Sequence, residues 1–209
     1  MNKTIAKPDS DQANPVVPEG PVTYEEFLAW AGETTRAEWV NGEIVPMSPV
    51  SVPHQLLVNF LITILSEFTQ AHGLGVVLSA PVQMKLKAGR EPDVCFVATE
   101  NLGRLRENYI DGPADLVIEV ISPESRARDR GDKYYEYEEG GVREYWLLDT
   151  ARRQAEFYVL GEDGYYHPVS VEGGIYRSAV LEDLFLKTEW FFQEPLPLYA
   201  DIRREWNLP

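Results

Sequence analysis

Two carboxylates and one lysine are the residues of this chain whose types and placement could do chemistry together. Glu91-Pro92-Asp93 opens a strand-like run, Glu119 lies inside the apolar run Leu116-Val117-Ile118-Glu119-Val120-Ile121, and Lys133 falls on the helix expected next. Mg²⁺ takes oxygen ligands and is usually held by one or two carboxylates plus water and phosphate. Asp93 and Glu119 are therefore expected to bind Mg²⁺, with Mn²⁺ able to stand in. The chemistry this set suits is phosphodiester hydrolysis: a bound water attacks, the metal polarises the phosphate and acidifies that water, and Lys133 orients the water or offsets transition-state charge. Plainer readings exist for each residue. Pro92-Asp93 could be a turn before a strand, Glu119 the partner of an arginine such as Arg143, and Lys133 part of a solvated helix face among Asp132, Glu136 and Glu138. A carboxylate in a strand buried on both faces must meet a cation or a donor, which favours chemistry at Glu119.

The elements that must position these groups follow from local patterns. Thr23 and Glu26 form a capping box ahead of Phe27, Leu28 and Trp30, so a short helix runs to about Ala31. Asn41-Gly42 reads as a tight turn between strands over 37–40 and 43–45. From Val52 to about His72, Leu56, Leu57, Phe60, Leu61, Ile64, Leu65 and Phe68 recur at three- and four-residue spacing, closing at Gly73: the main amphipathic helix. Strands follow over 76–79, 82–86, 94–97 and 114–121, then a helix over 128–139 ending at Gly140-Gly141, and a buried strand over 144–148. Segments 156–160 and 165–169 flank a turn from Gly161 to Gly164 and make a hairpin suited to extending a sheet edge. The tail from Leu181 to Trp206 has no clear period. Helix and strand alternate around one sheet, within a single domain over 21–209 preceded by a flexible leader over 1–20 that is rich in Pro, Asp, Asn and Gln.

Secondary candidates come from the same pattern. Strand alternation puts Gln83, Lys85 and Lys87 on one face and Val82, Met84 and Leu86 on the other, so Lys85 or Lys87 could reach the metal if the strand runs beside Asp93. His54, near the start of the main helix, could bind phosphate or a metal-bound water, or simply cap the helix. Glu38 and Glu43 flank the hairpin turn, where glutamates are ordinarily exposed. The aromatic group of Tyr134, Tyr135, Tyr137, Tyr145 and Trp146 is expected mostly in core packing rather than base stacking.

Composition narrows the classes. At 209 residues, with 44% hydrophobic and 25% charged residues, the chain can bury a full core. No apolar run approaches a membrane span and the amino terminus lacks a secretory signal, so a cytoplasmic protein is expected. The single cysteine, Cys95, and three scattered histidines give no disulfide and no zinc site. A net charge of −15 and a pI near 4.6 oppose general attraction to nucleic acid, although an acidic chain can still carry a basic groove.

Taken in order, Glu38-Trp39-Val40-Asn41-Gly42-Glu43, Met47-Ser48-Pro49 with His54, Glu91-Pro92-Asp93, Leu116 to Pro123 with Glu119, Asp129 to Lys133, and Gly141-Val142-Arg143-Glu144-Tyr145-Trp146 form a pattern. It resembles the PD-(D/E)XK nuclease superfamily, and within it the restriction-endonuclease-like group present as many paralogues in some bacterial genomes. The resemblance spans about residues 24–160. It implies an α/β restriction-endonuclease-like core of helix, three strands, helix and strand with a mixed central sheet, an N-terminal helix plus hairpin, and a C-terminal β-hairpin extension. It further implies an Mg²⁺-dependent endonuclease acting on DNA. The superfamily lysine two residues after the glutamate is replaced here by Ile121, and the resemblance moves its role to Lys133. A possible homodimer would serve cleavage of both strands. Ile121 and the acidic balance also keep open a nuclease-fold module that binds nucleic acid or protein without cleaving. A third reading is a hydrolase using two carboxylates as acid and base without metal.

Overall fold

The computed structural model describes residues 20–31 and 36–208, so the expected leader lies, apart from Gly20, outside the described residues. Helix α1 (Tyr24–Trp30) starts on the reciprocal cap: Thr23 Oγ1 accepts from the Glu26 amide at 3.2 Å, and Glu26 Oε2 from the Thr23 amide at 2.7 Å. Strands β1 (Ala37–Val40) and β2 (Glu43–Pro46) pair antiparallel about Asn41 and Gly42, both at positive φ, 51° and 89°. Helix α2 (Val52–His72) is capped by Ser51 and stops where Gly73 turns left-handed at φ 66°.

The rest of the chain alternates short strands and helices. In order come β3 (Gly75–Ser79), β4 (Gln83–Lys85), β5 (Gly89–Arg90), β6 (Val94–Ala98), β7 (Tyr109–Asp111) and β8 (Leu116–Val120). Next are α3 (Arg126–Arg130), α4 (Asp132–Gly140), β9 (Glu144–Asp149), β10 (Gln154–Leu160), β11 (Tyr166–Pro168), β12 (Ile175–Arg177), β13 (Phe185–Lys187) and α5 (Tyr199–Glu205).

The central sheet is mixed, in the order β11-β10-β9-β8-β6-β3, with β8 and β9 parallel and the other neighbours antiparallel. Side-chain alternation gives it two buried faces. Leu116, Ile118 and Val120 of β8, Val94 and Phe96 of β6, and Trp146 and Leu148 of β9 pack with Leu57, Leu61, Ile64 and Phe68 of α2. Val117, Cys95, Tyr145 and Leu147 face the other way, with Tyr137 of α4. That parallel pair needs a crossover, supplied by α3 and α4, which places Lys133 over the face to which Glu119 points. The hairpin of β10 and β11 extends the sheet edge as expected.

Two details differ from the sequence reading. Among the described residues there are two larger sheets rather than one: β1 and β2 join β5, β4 and β7 in a separate sheet of order β2-β1-β5-β4-β7. The chain leaves that sheet at Arg90 and enters the central one at Val94. Pro92, which has no amide to pair, sits in the passage, so Asp93 lies at the junction. The helix expected over 128–139 is two helices, broken at Gly131 with φ −117° and ψ −96°. A Cβ there would lie 2.7 Å from the Ala127 carbonyl oxygen. The tail, which lacks a period, is held by aromatic contacts to α2, Trp206 on Phe68 and Tyr199 on Phe60.

Candidate active site

Asp93 is fixed by two donors on one oxygen. Its Oδ2 accepts from the Val120 amide at 2.8 Å and from His54 Nε2 at 3.1 Å. An ionised carboxylate only accepts, so Nε2 carries the hydrogen, and His54 Nδ1 is left buried without a partner. Asp93 Oδ1 takes no hydrogen bond among the described residues.

Glu119 precedes the residue that donates to Asp93, and its side chain leaves the opposite face of β8. Its Oε1 accepts from Lys133 Nζ at 2.7 Å and from the Tyr137 hydroxyl at 2.8 Å. Those donors stand four residues apart on α4, hence on one helix face. As with Asp93, one oxygen is saturated and the other, Oε2, takes no hydrogen bond among the described residues. Both carboxylates line a cavity of about 650 Å³, together with His54, Glu91, Arg36, Arg128, Asp129 and Lys133.

Behind Glu119 lies a buried charge network. Lys133 Nζ is 3.2 Å from Glu38 Oε1 and 3.9 Å from Asp129 Oδ1, three carboxylates thus facing one ammonium. Glu38 Oε2 accepts from Arg90 Nη1 at 2.8 Å, and Arg90 also grips Glu136 of α4 at 2.7 and 2.8 Å. The network ties β1 and β5 of one sheet to β8 of the other through α4. Removing an ion from water costs several kcal/mol, so such groups persist only when paired.

The protonation balance follows from the same geometry. Burial foremost raises Glu119 to about 8, opposed by Lys133 and reinforced by Asp93 and Asp129. Because Lys133 and Tyr137 both donate to Oε1, a proton on Glu119 belongs on Oε2. Burial works against the charge of Lys133, yet Glu119, Glu38 and Asp129 together hold it protonated. For Glu38, burial is again the largest effect, but Lys133 and Arg90 outweigh it and keep the carboxyl below its ordinary range. Burial pushes Asp129 up and raises Glu91 to about 7.

The structure thus brings Asp93, Glu119, Lys133 and His54 to one cavity. It does not bring Gln83 or Lys85 there. Gln83 is buried behind the cavity and donates to Glu91 Oε1 at 2.8 Å and to the Ala37 carbonyl at 2.9 Å. Lys85 belongs to the second sheet, where it pairs with Glu25 at 3.1 Å and lies 4.9 Å from the centre of the Tyr24 ring. Arg143 pairs with Asp115 at 3.6 Å, not with Glu119. Sequence reasoning missed Glu38, which is fully buried although it flanks a hairpin turn, and with it Arg90, Asp129 and Arg128. Glu38 and Asp129 were signalled only by membership of the motifs Glu38 to Glu43 and Asp129 to Lys133, while Arg90 and Arg128 lie just outside every motif and carried no signal.

The donor chemistry fits a hard divalent cation. Two carboxylates, each with an uncommitted oxygen, line one cavity in which acidic side chains outnumber basic ones. Among the described residues no three Asp, Glu, His or Cys side chains converge closely enough to hold a metal ion. Water and substrate oxygens would have to complete the shell, as is usual for Mg²⁺.

A mixed sheet with α2 on one face, the crossover helices on the other and two carboxylates lining one cavity make this a mixed α/β protein with an acidic site. The solved structure titled a "putative nuclease belonging to DUF820", from Anabaena variabilis, matches with a TM-score of 0.70 at 15% identity, over 82% of this chain and 98% of that one. At that identity the likeness is one of fold. Residues 24–189 match the Uma2 family, described as "Putative restriction endonuclease", and the chain belongs to that family. The Synechocystis sp. protein named "Uncharacterized protein slr1290" is 25% identical over 156 residues, 72% of this chain and 80% of that protein. Among the described residues no helix is long and apolar enough to cross a membrane.

Proposed function

We propose that this protein is an Mg²⁺-dependent endonuclease that hydrolyses phosphodiester bonds of DNA in the cytoplasm, with Mn²⁺ able to replace Mg²⁺. The observation that carries this reading is the pair of uncommitted oxygens, Asp93 Oδ1 and Glu119 Oε2, on carboxylates that line one cavity beside Lys133. Asp93 and Glu119 would hold the ion. When bound, it supplies a polarised phosphate and a water of lowered pKa.

The chain's own residues do the positioning. The Val120 amide and His54 hold Asp93 in orientation, which leaves Oδ1 for the site. Tyr137 and Lys133 do the same for Glu119. Lys133 donates to Glu119 and pairs with Glu38, which leaves ammonium hydrogen for an attacking water or a phosphate oxygen. That water forms the new P–O bond as an ester oxygen leaves, and Lys133 lowers the cost of the charge that builds up. Two copies, one per strand, would suit double-strand cleavage.

Two observations favour the rival reading of a module that binds without cutting: Lys133 is already paired with Glu119 and Glu38 in a buried network, and Ile121 packs in the core where the superfamily lysine would stand. Calorimetric titration with Mg²⁺ and Mn²⁺, beside plasmid cleavage on the same samples, separates the two. Wild type should bind and cleave, and Asp93→Ala and Glu119→Ala should do neither. Wild-type protein that binds neither metal would sink the nuclease mechanism and leave the binding module.

A further inference from the structure

Helix α3 carries three arginines at alternate positions: Arg126, Arg128 and Arg130. Residues four apart share a helix face, and the one between them projects elsewhere. Arg126 and Arg130 both reach Asp149 of β9, at 3.1 and 3.4 Å, and Arg130 also pairs with Glu156. Arg128 instead lines the cavity that holds Asp93 and Glu119. Its nearest carboxylate oxygen among the described residues, Asp129 Oδ1, is 3.9 Å from Nε, beyond hydrogen-bond length. Its Nε is buried and has no acceptor, and Asp129 Oδ1 is likewise buried without a donor.

A guanidinium presents its donors in a planar fork that matches phosphate, and a buried N–H without an acceptor is costly to keep. The chain's net charge of −15 repels a polyanion, so affinity for one must come from local cations. Arg36 adds a second guanidinium to the same cavity, its Nη2 3.9 Å from Glu91 Oε2 and 42% of its side chain exposed.

We infer that Arg128 is a binding residue for a phosphodiester of the nucleic-acid strand, with its terminal amino groups gripping phosphate oxygens beside the two carboxylates. Arg36 supports the same strand from the segment before β1. Arg126 and Arg130 take no part, since Asp149 and Glu156 neutralise them. The inference rests on the nuclease reading of the cavity and deepens it by naming the side chain that meets the substrate's charge.

The test is fluorescence anisotropy of a short labelled DNA duplex over a KCl series, with Ca²⁺ in place of Mg²⁺ to hold off cleavage. Arg128→Gln should bind on the order of 10-fold more weakly than wild type, with a log–log salt slope shallower by about 0.9. Arg128→Lys, which keeps a point charge but loses the fork, should retain the slope and lose roughly 3-fold in affinity. Arg126→Gln should leave the slope unchanged. If wild type binds and Arg128→Gln matches it in affinity and slope, or if Arg126→Gln flattens the slope equally, Arg128 is not the phosphate anchor and the nuclease reading survives. Should the glutamine variant fail to melt cooperatively, Arg128→Lys with wild-type affinity overturns the inference. Wild-type protein that fails to bind at any salt removes the nucleic-acid reading and the inference with it.

Discussion

Glu119 and Glu144 occupy the same parallel strand pair, β8 and β9, where Glu144 is registered with Leu116 and Glu119 with Leu147. Both are buried, at 3% and 0% exposure. Their surroundings differ completely. Glu144 accepts five hydrogen bonds: Trp146 Nε1 and the Tyr176 hydroxyl on Oε1, and the Ser178 hydroxyl with the Ala179 and Val180 amides on Oε2, all within 2.6–2.9 Å. Its oxygens are saturated by neutral donors, and it clamps the segment after β12 onto the central sheet. Glu119 has one oxygen filled and one spare, faces a cavity, and stands among excess negative charge. Burial of a carboxylate therefore does not mark chemistry; an uncommitted oxygen in a cavity does.

The contrast can be tested from its strongest side. Glu144→Ala should leave five donors unpaired and cost roughly 4–5 kcal/mol of unfolding free energy, a large part of a domain's total. Urea denaturation measures this, and a loss below about 1 kcal/mol would erase the distinction. Glu119→Gln should behave oppositely. Stability should stay within about 1 kcal/mol, since Tyr137 and Lys133 keep an acceptor, while metal affinity and cleavage fall on the order of 10²–10³-fold. Lost stability with retained metal affinity would instead put Glu119 in the class of Glu144.

Lys133→Met sharpens the comparison further. It removes the ammonium from Glu38, Glu119 and Asp129, and should cost about 2–3 kcal/mol in metal-free buffer, moderated because Glu119 can take up a proton. Since Glu119 is then no longer shared, Mn²⁺ should bind about 10-fold more tightly by calorimetry while cleavage falls. Weaker Mn²⁺ binding would mean that Lys133 organises the metal ligands rather than competing for them.

The smallest effect concerns Asp149, a carboxylate of the saturated kind. Burial opposes its charge, but the Arg152 amide, Arg126 and Arg130 outweigh that and hold its carboxyl below the ordinary value of 3.8. A depressed folded-state value means stability present above 3.8 and lost as pH falls through the folded value. Asp149→Asn should thus be less stable than wild type by about 1 kcal/mol at neutral pH, and the two should converge in strong acid. Melting curves of both proteins from neutral to acid pH check this, and a gap that persists at the lowest pH would assign the difference to packing.

Sequence by itself determined the elements and the residues that contradict their surroundings. A 3.6-residue period specified α2, an Asn-Gly turn specified the hairpin of β1 and β2, and a glutamate in an apolar strand pointed to itself because burial demands a partner. Only the tertiary structure decided who that partner is. Glu38, beside a turn, looks exposed because periodicity reports which face of one element is apolar, not which distant element will cover it. Its burial comes with α4 packing against the sheet to which it belongs, with Lys133 and Arg90 as counter-charges. For the same reason, alternation placed Lys85 on a face but could not say that this face belongs to another sheet. Nor could a tolerated glycine reveal that Gly131 breaks the crossover into two helices. Local sequence encodes local conformation and hydropathy, whereas the pairing of charges across elements depends on packing between segments far apart in the chain.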